Sequence, residues 1–168
     1  MKRMIISNII AFVVMLVIAK FTYSQVVYSD IKDVLDILKN ASAMIFTIVG
    51  IWIAYIYPNA ITAIVNPDSI SVVAGERDAK RIEMLVGVIL SSAFVIAGIV
   101  VFFVVKTLLG NTATYANNIN CFKPVGIAVV FHLAFLQLTA LVKVGWSNYL
   151  FINDLHSKIN KKKLANEE

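Results

Sequence analysis

The chain has 168 residues, of which 60% are hydrophobic and 15% are charged, with a mean hydropathy of +0.83 and a net charge of +5. No soluble fold of this size buries so much apolar surface, so the composition excludes a soluble protein and predicts an all-α integral membrane protein. Cys121 is the only cysteine, which excludes an internal disulfide and a cysteine-based metal site.

Four apolar runs follow one another along the chain, at about residues 4–25, 41–57, 84–105 and 125–142. Each is near the length of about 20 residues that an α-helix needs to cross about 30 Å of hydrocarbon. The first run is too long for a cleaved signal peptide and lacks a small-x-small cleavage site. We therefore predict a four-helix transmembrane bundle over residues 1–152 and a basic cytoplasmic tail over 153–168.

An amphipathic helix is predicted over residues 29–39, between the first two runs. Its apolar residues recur at i, i+3, i+4 and i+7, and they are Ile31, Val34, Leu35 and Leu38. Ser29 or Asp30 is suited to cap its start. We expect this helix to lie on the outer membrane surface or to pack over the ends of the spans. Its aspartates and lysines neutralise one another in part, which favours a solvated polar face over a cation site.

The second run ends at a proline, Pro58, which predicts a bend or a stop at Tyr57. Apolar sequence resumes over residues 60–65, as a kinked continuation or a short helix on the cytoplasmic surface. Residues 66–75 form the only predicted linker.

The fourth run continues past the membrane without a helix breaker. A helix from Val125 to Lys163 is about 58 Å long, roughly twice the hydrocarbon thickness. It ends in a basic cluster, which consists of Lys158, Lys161, Lys162 and Lys163. Such a cluster most often binds anionic lipid and fixes topology, and docking of an acidic cytosolic protein is the alternative. Direct nucleic-acid binding is not expected.

Basic residues are distributed unevenly between the two sides of the membrane. With four spans, the side that holds both termini and the central loop carries ten lysines and arginines, and the other side carries five. Cytoplasmic loops are enriched in these residues, so both termini are assigned to the cytoplasm. Frequent Ile, Asn and Lys suit a bacterial source, and we expect the protein in the bacterial inner membrane.

No motif in the chain identifies a chemistry. Residues 37–67 and 84–153 contain no aspartate or glutamate, whereas proton- and sodium-coupled carriers commonly place a carboxylate inside the membrane. Phosphate-binding glycine loops, metal-ligand pairs and nucleophile elbows are also missing from the sequence. We predict a non-enzymatic protein without a metal or cofactor.

His132 and Gln137 are the two strongly polar residues deep in the fourth run. They line a narrow wet pathway or a pH-sensitive gate in one interpretation. In the preferred interpretation, they form interhelical hydrogen bonds worth about 1 kcal/mol. The candidate partners are Ser91, Ser92, Thr47 and Asn8. A hydrolase that pairs Ser91 or Ser92 with His132 has no supporting motif.

Small residues predict tightly packed helix faces. They are Gly50 and Ala54 in the second run and Gly87, Ala93, Ala97 and Gly98 in the third. Four short spans packed around small residues leave little interior for a path through one subunit. Any pore is therefore expected between subunits, and we predict a homo-oligomer.

The span number, the orientation and the basic helical tail resemble the four-span membrane subunits of bacterial anti-phage systems, of which the Kiwa membrane subunit is one. The resemblance rests on no motif, so no residue role is carried over. It implies a membrane-embedded oligomer that senses infection and recruits a cytosolic DNA-binding partner. A holin-like or pore-forming protein, or an accessory subunit of a small transporter, is the alternative.

Overall fold

The computed structural model describes residues 2–56 and 76–165, and every regular element within them is a helix. The helices are α1 (Lys2–Thr22), α2 (Tyr28–Ile56), α3 (Glu76–Leu109), α4 (Ala113–Asn117) and α5 (Ile119–Ala165). The all-α prediction is confirmed. The predicted bend at Pro58, the apolar segment 60–65 and the linker 66–75 lie outside the described residues.

Three helices are long and apolar enough to cross a membrane. Their candidate spans are Tyr28–Ala54, Arg81–Leu109 and Ile119–Asn153. The apolar part of α1 is shorter, Ile6–Thr22, and at 1.5 Å per residue it extends about 26 Å. The structure thus supports a membrane protein with transmembrane helices, and the fourth span stays a prediction.

The predicted amphipathic helix and the second span form one continuous helix, α2. The backbone N–H of Val27 donates to Asp30 Oδ2 at 3.1 Å, which is one half of a capping box. Buried residues then recur at alternating spacings of four and three, namely Ile31, Leu35, Leu38, Ser42, Ile45 and Val49. No proline or glycine interrupts this rhythm near Asn40, so the helix continues. A separate helix on the outer surface is therefore not confirmed.

The connection between the third and fourth apolar runs, residues 106–124, is mostly helical. Helix α3 ends where the N–H of Gly110 donates to Lys106 O at 2.8 Å. A Cβ atom on residue 110 would lie 2.6 Å from that oxygen, so glycine fits this close approach. Thr112 caps the short α4 by accepting from the Tyr115 N–H at 3.2 Å, and α5 begins at Ile119.

Helix α5 contains 47 residues, Ile119–Ala165, and is about 70 Å long at 1.5 Å per residue. The sequence-based prediction of an uninterrupted helix into the basic tail is confirmed over this range. Pro124 lies inside the helix near its start. Its missing N–H removes a single backbone hydrogen bond, which the long helix tolerates.

The chain divides into two compact units. The first unit comprises Met1–Met44 and Ser91–Leu138, and its buried core contains Ala19, Ile31, Leu35, Leu38, Val95, Ile99, Ile127, Ala128, Val130 and Leu133. Gly98 of α3 faces Leu133 of α5, and a Cβ on Gly98 would lie 2.7 Å from Leu133 Cδ2. The absence of a side chain at Gly98 therefore allows α3 and α5 to approach closely, as predicted from the small residues of the third run.

The second unit comprises Ile45–Leu90 and Thr139–Glu168, and its core contains Ile45, Val49, Leu85, Val88 and Ala140. Arg81 is 8% exposed, and its Nη2 donates to Leu150 O of α5 at 3.1 Å. The guanidinium thus joins the start of α3 to α5.

Candidate functional site

Gln137 forms a buried hydrogen bond between α2 and α5. Ser42 Oγ donates to Gln137 Oε1 at 3.0 Å, and the two residues are 0% and 2% exposed. The interhelical bond expected for Gln137 is present, but its partner is not among the four residues that we named. Ser42 continues the buried rhythm of α2 four residues after Leu38, so its spacing marks it as buried but does not show which polar residue it bonds.

Two buried polar atoms of the first unit lack a hydrogen-bond partner among the described residues. Gln137 Nε2 and Ser92 Oγ are buried and have no hydrogen-bond partner within residues 2–56 and 76–165. Ser91 is half-buried beside Ser92 on α3. A buried unpaired polar group carries its full desolvation cost. No hydrogen bond to a described residue offsets this cost for the Ser92 hydroxyl.

His132 is held by aromatic rings. Its imidazole meets Phe12 of α1 edge to face, with centroids 5.4 Å apart, and lies nearly parallel to Phe135 at 6.4 Å. The Nδ1 atom is buried without a hydrogen bond to any described residue. Since Ser92 Oγ is also unbonded, these two atoms do not form the serine–histidine pair of a hydrolase.

An open groove lies beside the imidazole of His132. It has a volume of about 370 Å³ and is lined by Asn8, Ile9, Phe12 and His132. Gln137 points into the helix interface, whereas His132 borders this groove against α1. The structure therefore does not combine the two polar residues into one site.

The remaining predicted packing residues face outward. A Cβ on Gly50 or Gly87 would meet no atom within 4 Å. Ala54, Ala93 and Ala97 are exposed. Among the described residues, no neighbouring helix packs against the two glycines, so close packing at these positions stays a prediction for contacts between chains.

The basic cluster follows a pair of aromatic residues on α5. Trp146 and Tyr149 are exposed and in mutual contact, with ring centroids 5.9 Å apart, as expected of anchors at a membrane interface. The helix continues through all four lysines, and the side chain of Lys163 is exposed. Along the axis, Lys158 and Lys163 lie about 14 Å and 21 Å beyond Tyr149. The other three lysine side chains lie outside the described part of the structure.

One further surface was not recognised as a site from the sequence. We name it the charged face of α2, and it consists of Asp30, Lys32, Asp33, Asp36 and Lys39. Asp36 and Lys39 form an ion pair at 2.9 Å, and their side chains are 47% and 56% exposed. The other three residues are also exposed. The opposite face of the same turns is buried against α3 and α5 in the core of the first unit.

No protein family matches the sequence, and no curated protein or solved structure matches it. The resemblance to anti-phage membrane subunits therefore stays a prediction. The sites rest on the geometry of this chain alone.

Proposed function

We propose that the protein is a non-enzymatic, homo-oligomeric sensor or effector of the bacterial inner membrane that docks a cytosolic partner through the basic end of α5. In this proposal α1 is the fourth span, and both termini lie in the cytoplasm. The continuity of α5 carries the proposal, because one helix connects a candidate span, Ile119–Asn153, with the basic cluster.

The length of α5 favours a protein partner over lipid. The headgroup region extends about 6 Å beyond the hydrocarbon, and electrostatic attraction to anionic lipid decays over a Debye length of about 8 Å. Lys161 is about 18 Å beyond Tyr149 along an upright helix, and about 14 Å at a tilt of 40°. Residues 161–163 therefore lie about one Debye length or more above the headgroups, where lipid attraction is weak.

Apolar side chains accompany the basic residues on this extension. Ile152 and Ile159 are 55% and 46% exposed. With Tyr149 and His156 they recur at spacings of three and four residues, so they share one face of the helix. Lys163 follows Ile159 by four residues on the same face, so an amphipathic helix with acidic residues beside its apolar stripe fits both the isoleucines and this lysine.

Affinity capture from membranes of the source cells tests this proposal. The full chain is compared with a variant in which all four lysines of the cluster are replaced by glutamate. We expect a cytosolic protein that the wild type retains and the variant loses, while both assemble in the membrane. The control replaces Lys20 and Lys123, which lie outside the cluster and outside the charged face of α2, by glutamate and is expected to retain the partner. Equal capture by wild type and cluster variant would contradict the proposal.

A further inference from the structure

The charged face of α2 lies beside the C-terminal half of α3, and not beyond its end. At one end of this segment, Lys106 Nζ of α3 lies 3.4 Å from the centroid of the Tyr28 ring. At the other end, Ser42 is hydrogen-bonded to Gln137 of α5. Asp33 and Asp36 lie between these contacts, about 8 Å and 12 Å from Tyr28 along the helix.

The neighbouring helices expose aliphatic side chains at the same level. Six residues are about half exposed or more, namely Val13, Val14 and Val17 of α1 and Val100, Val101 and Val104 of α3. Val101 lies five residues before Lys106, and Asp33 lies five residues after Tyr28. Because the two helices run in opposite directions, Val101 and Asp33 lie at about the same level. Exposed valines at this density need hydrocarbon around them, so this level of the first unit lies inside the membrane.

A single copy surrounded by lipid cannot satisfy both surfaces. Charged side chains inside the hydrocarbon are costly and are found facing protein or water-filled space. Moving the segment out of the membrane would instead expose the valines of α1 and α3 to water. An assembly in which the charged face points away from lipid and the valines point toward it resolves the conflict.

We propose that the charged faces of several copies of this chain turn toward one another and line an aqueous path that admits cations. The occupant opposite each charged face is thus a second copy. Both signs of charge are present on the face, so neighbouring copies complement each other, as Asp36 and Lys39 already do within one copy.

The charge balance favours water over a dry interface. Three aspartates against two lysines leave one net negative charge on each copy's face. Pairing between identical copies cannot cancel this charge, and a dry interface disfavours an uncompensated carboxylate. Lys106 does not supply the missing positive charge at Asp33, because its ammonium lies over the Tyr28 ring, about 8 Å from Asp33 along the helix. Water and a cation satisfy the remaining charge, as in the acidic rings of cation channels.

Further along α2, the line of residues that continues from Asp36 is small or polar, whereas the line that continues from Asp33 carries the exposed side chains of Ile37, Met44 and Ile51. From Asp36 the first line continues at spacings of four and three through Asn40, Ala43, Thr47, Gly50 and Ala54. All five are small or polar, and none is fully buried. Gly50 and Ala54, which the sequence marked for close helix packing, therefore lie on the side that meets the next copy.

Thiol accessibility in the assembled full chain tests the proposal. In a Cys121→Ser background, a single cysteine is placed on the charged face by Asp33→Cys or, at the same level, on the valine surface by Val101→Cys. Membranes are treated with a membrane-impermeant cationic thiosulfonate. Because the thiolate is the reactive form and needs water to ionise, we expect Asp33→Cys to react at least about 100-fold faster than Val101→Cys.

A second position protects the test against loss of assembly in the first variant. Thr47→Cys retains every charge and lies on the same face, and we expect it also to react faster than Val101→Cys. A cationic reagent should modify the cysteine of Thr47→Cys, which keeps the net negative charge of the face, faster than an anionic one. Rates at positions 33 and 47 no higher than at 101 would overturn the proposal, since the face would then be dry or in lipid.

The proposal rests on the homo-oligomer proposed above but not on the docking partner. Capture of a cytosolic protein by the basic cluster and thiol reactivity on α2 are separate readouts. Slow reaction with normal capture would overturn the aqueous path alone, and fast reaction with unaltered capture by the lysine variant would contradict docking alone.

Discussion

The hydrogen bond between Ser42 and Gln137 gives the sharpest test of the packing. Ser42→Ala removes the donor and leaves Gln137 Oε1 unpaired, in addition to Nε2, which already lacks a partner among the described residues. Interhelical hydrogen bonds in membrane proteins are worth about 0.6 kcal/mol on average and up to about 1.7 kcal/mol. A stranded acceptor adds to this loss. We expect Ser42→Ala to lower the free energy of unfolding by about 1 kcal/mol, or about fivefold in the unfolding equilibrium constant.

The control is another fully buried serine. Ser92 is as buried as Ser42, but its hydroxyl has no hydrogen-bond partner in the part of the chain that the structure describes. Ser92→Ala therefore removes an uncompensated polar group, and we expect it to be neutral or slightly stabilising. Both alanine variants leave cavities of similar size, so the difference between them isolates the hydrogen bond.

Replacing Gln137 completes the comparison. Gln137→Leu keeps a similar volume and removes the unpaired Nε2, but it leaves the Ser42 hydroxyl without its acceptor, so we expect a free energy of unfolding up to about 1 kcal/mol below that of wild type. The double variant Ser42→Ala/Gln137→Leu should equal or exceed Gln137→Leu alone, because it also removes the unpaired hydroxyl. Unfolding in mixed micelles as the denaturing detergent fraction is raised measures all four variants. Equal losses in Ser42→Ala and Ser92→Ala would refute the reasoning.

Two further predictions concern the helix contacts. Gly98→Ile should destabilise the first unit by about 1–3 kcal/mol, because the larger side chain displaces Leu133. Gly87→Ala should be tolerated or slightly stabilising in the same unfolding assay, since its Cβ meets open space. Equal effects of the two variants on the free energy of unfolding would contradict the contact between Gly98 and Leu133. Arg81→Met should lower the free energy of unfolding by about 1.5–3 kcal/mol, because the hydrogen bond to Leu150 O involves a charged donor. An unchanged midpoint for Arg81→Met would show that the guanidinium does not join α3 to α5.

The sequence was sufficient for features that depend on local signals. No helix breaker follows Pro124 in the fourth run, so a helix reaching Lys163 was predictable. Gly98 was marked as a small residue, and it does meet Leu133 across the interface. In both cases the deciding property, a missing breaker or a missing side chain, belongs to one segment of the chain.

Features that depend on neighbouring helices were not predictable. Hydropathy divided α2 near Asn40 because charged residues there lower the average, although the buried residues on either side share one rhythm. The sequence placed the nearest carboxylates outside the apolar runs. The contact between Tyr28 and Lys106 places Asp33 level with Val101 of α3, and that relation is visible only once the helices are packed.

Partner choice was also beyond the sequence. Serine is common in membrane helices, and its spacing alone does not distinguish Ser42, which bonds Gln137, from Ser92, which does not. The outward direction of Gly50 and Gly87 likewise depends on which helix faces each glycine. Small residues predict that a close contact is possible, while the neighbours decide whether it lies within the chain.

We propose that α5 leaves the membrane just beyond Tyr149 and presents its basic end to the cytoplasm as a rigid helix. Spin labels placed singly at residues 138–163 of the full chain in bilayers test this directly, through their accessibility to oxygen and to a water-soluble nickel complex. We predict that the preference changes from oxygen to nickel near residue 149. A helical period of 3.6 residues should then persist to residue 163. Uniform nickel accessibility without a period beyond residue 153, or oxygen preference up to residue 163, would contradict the account.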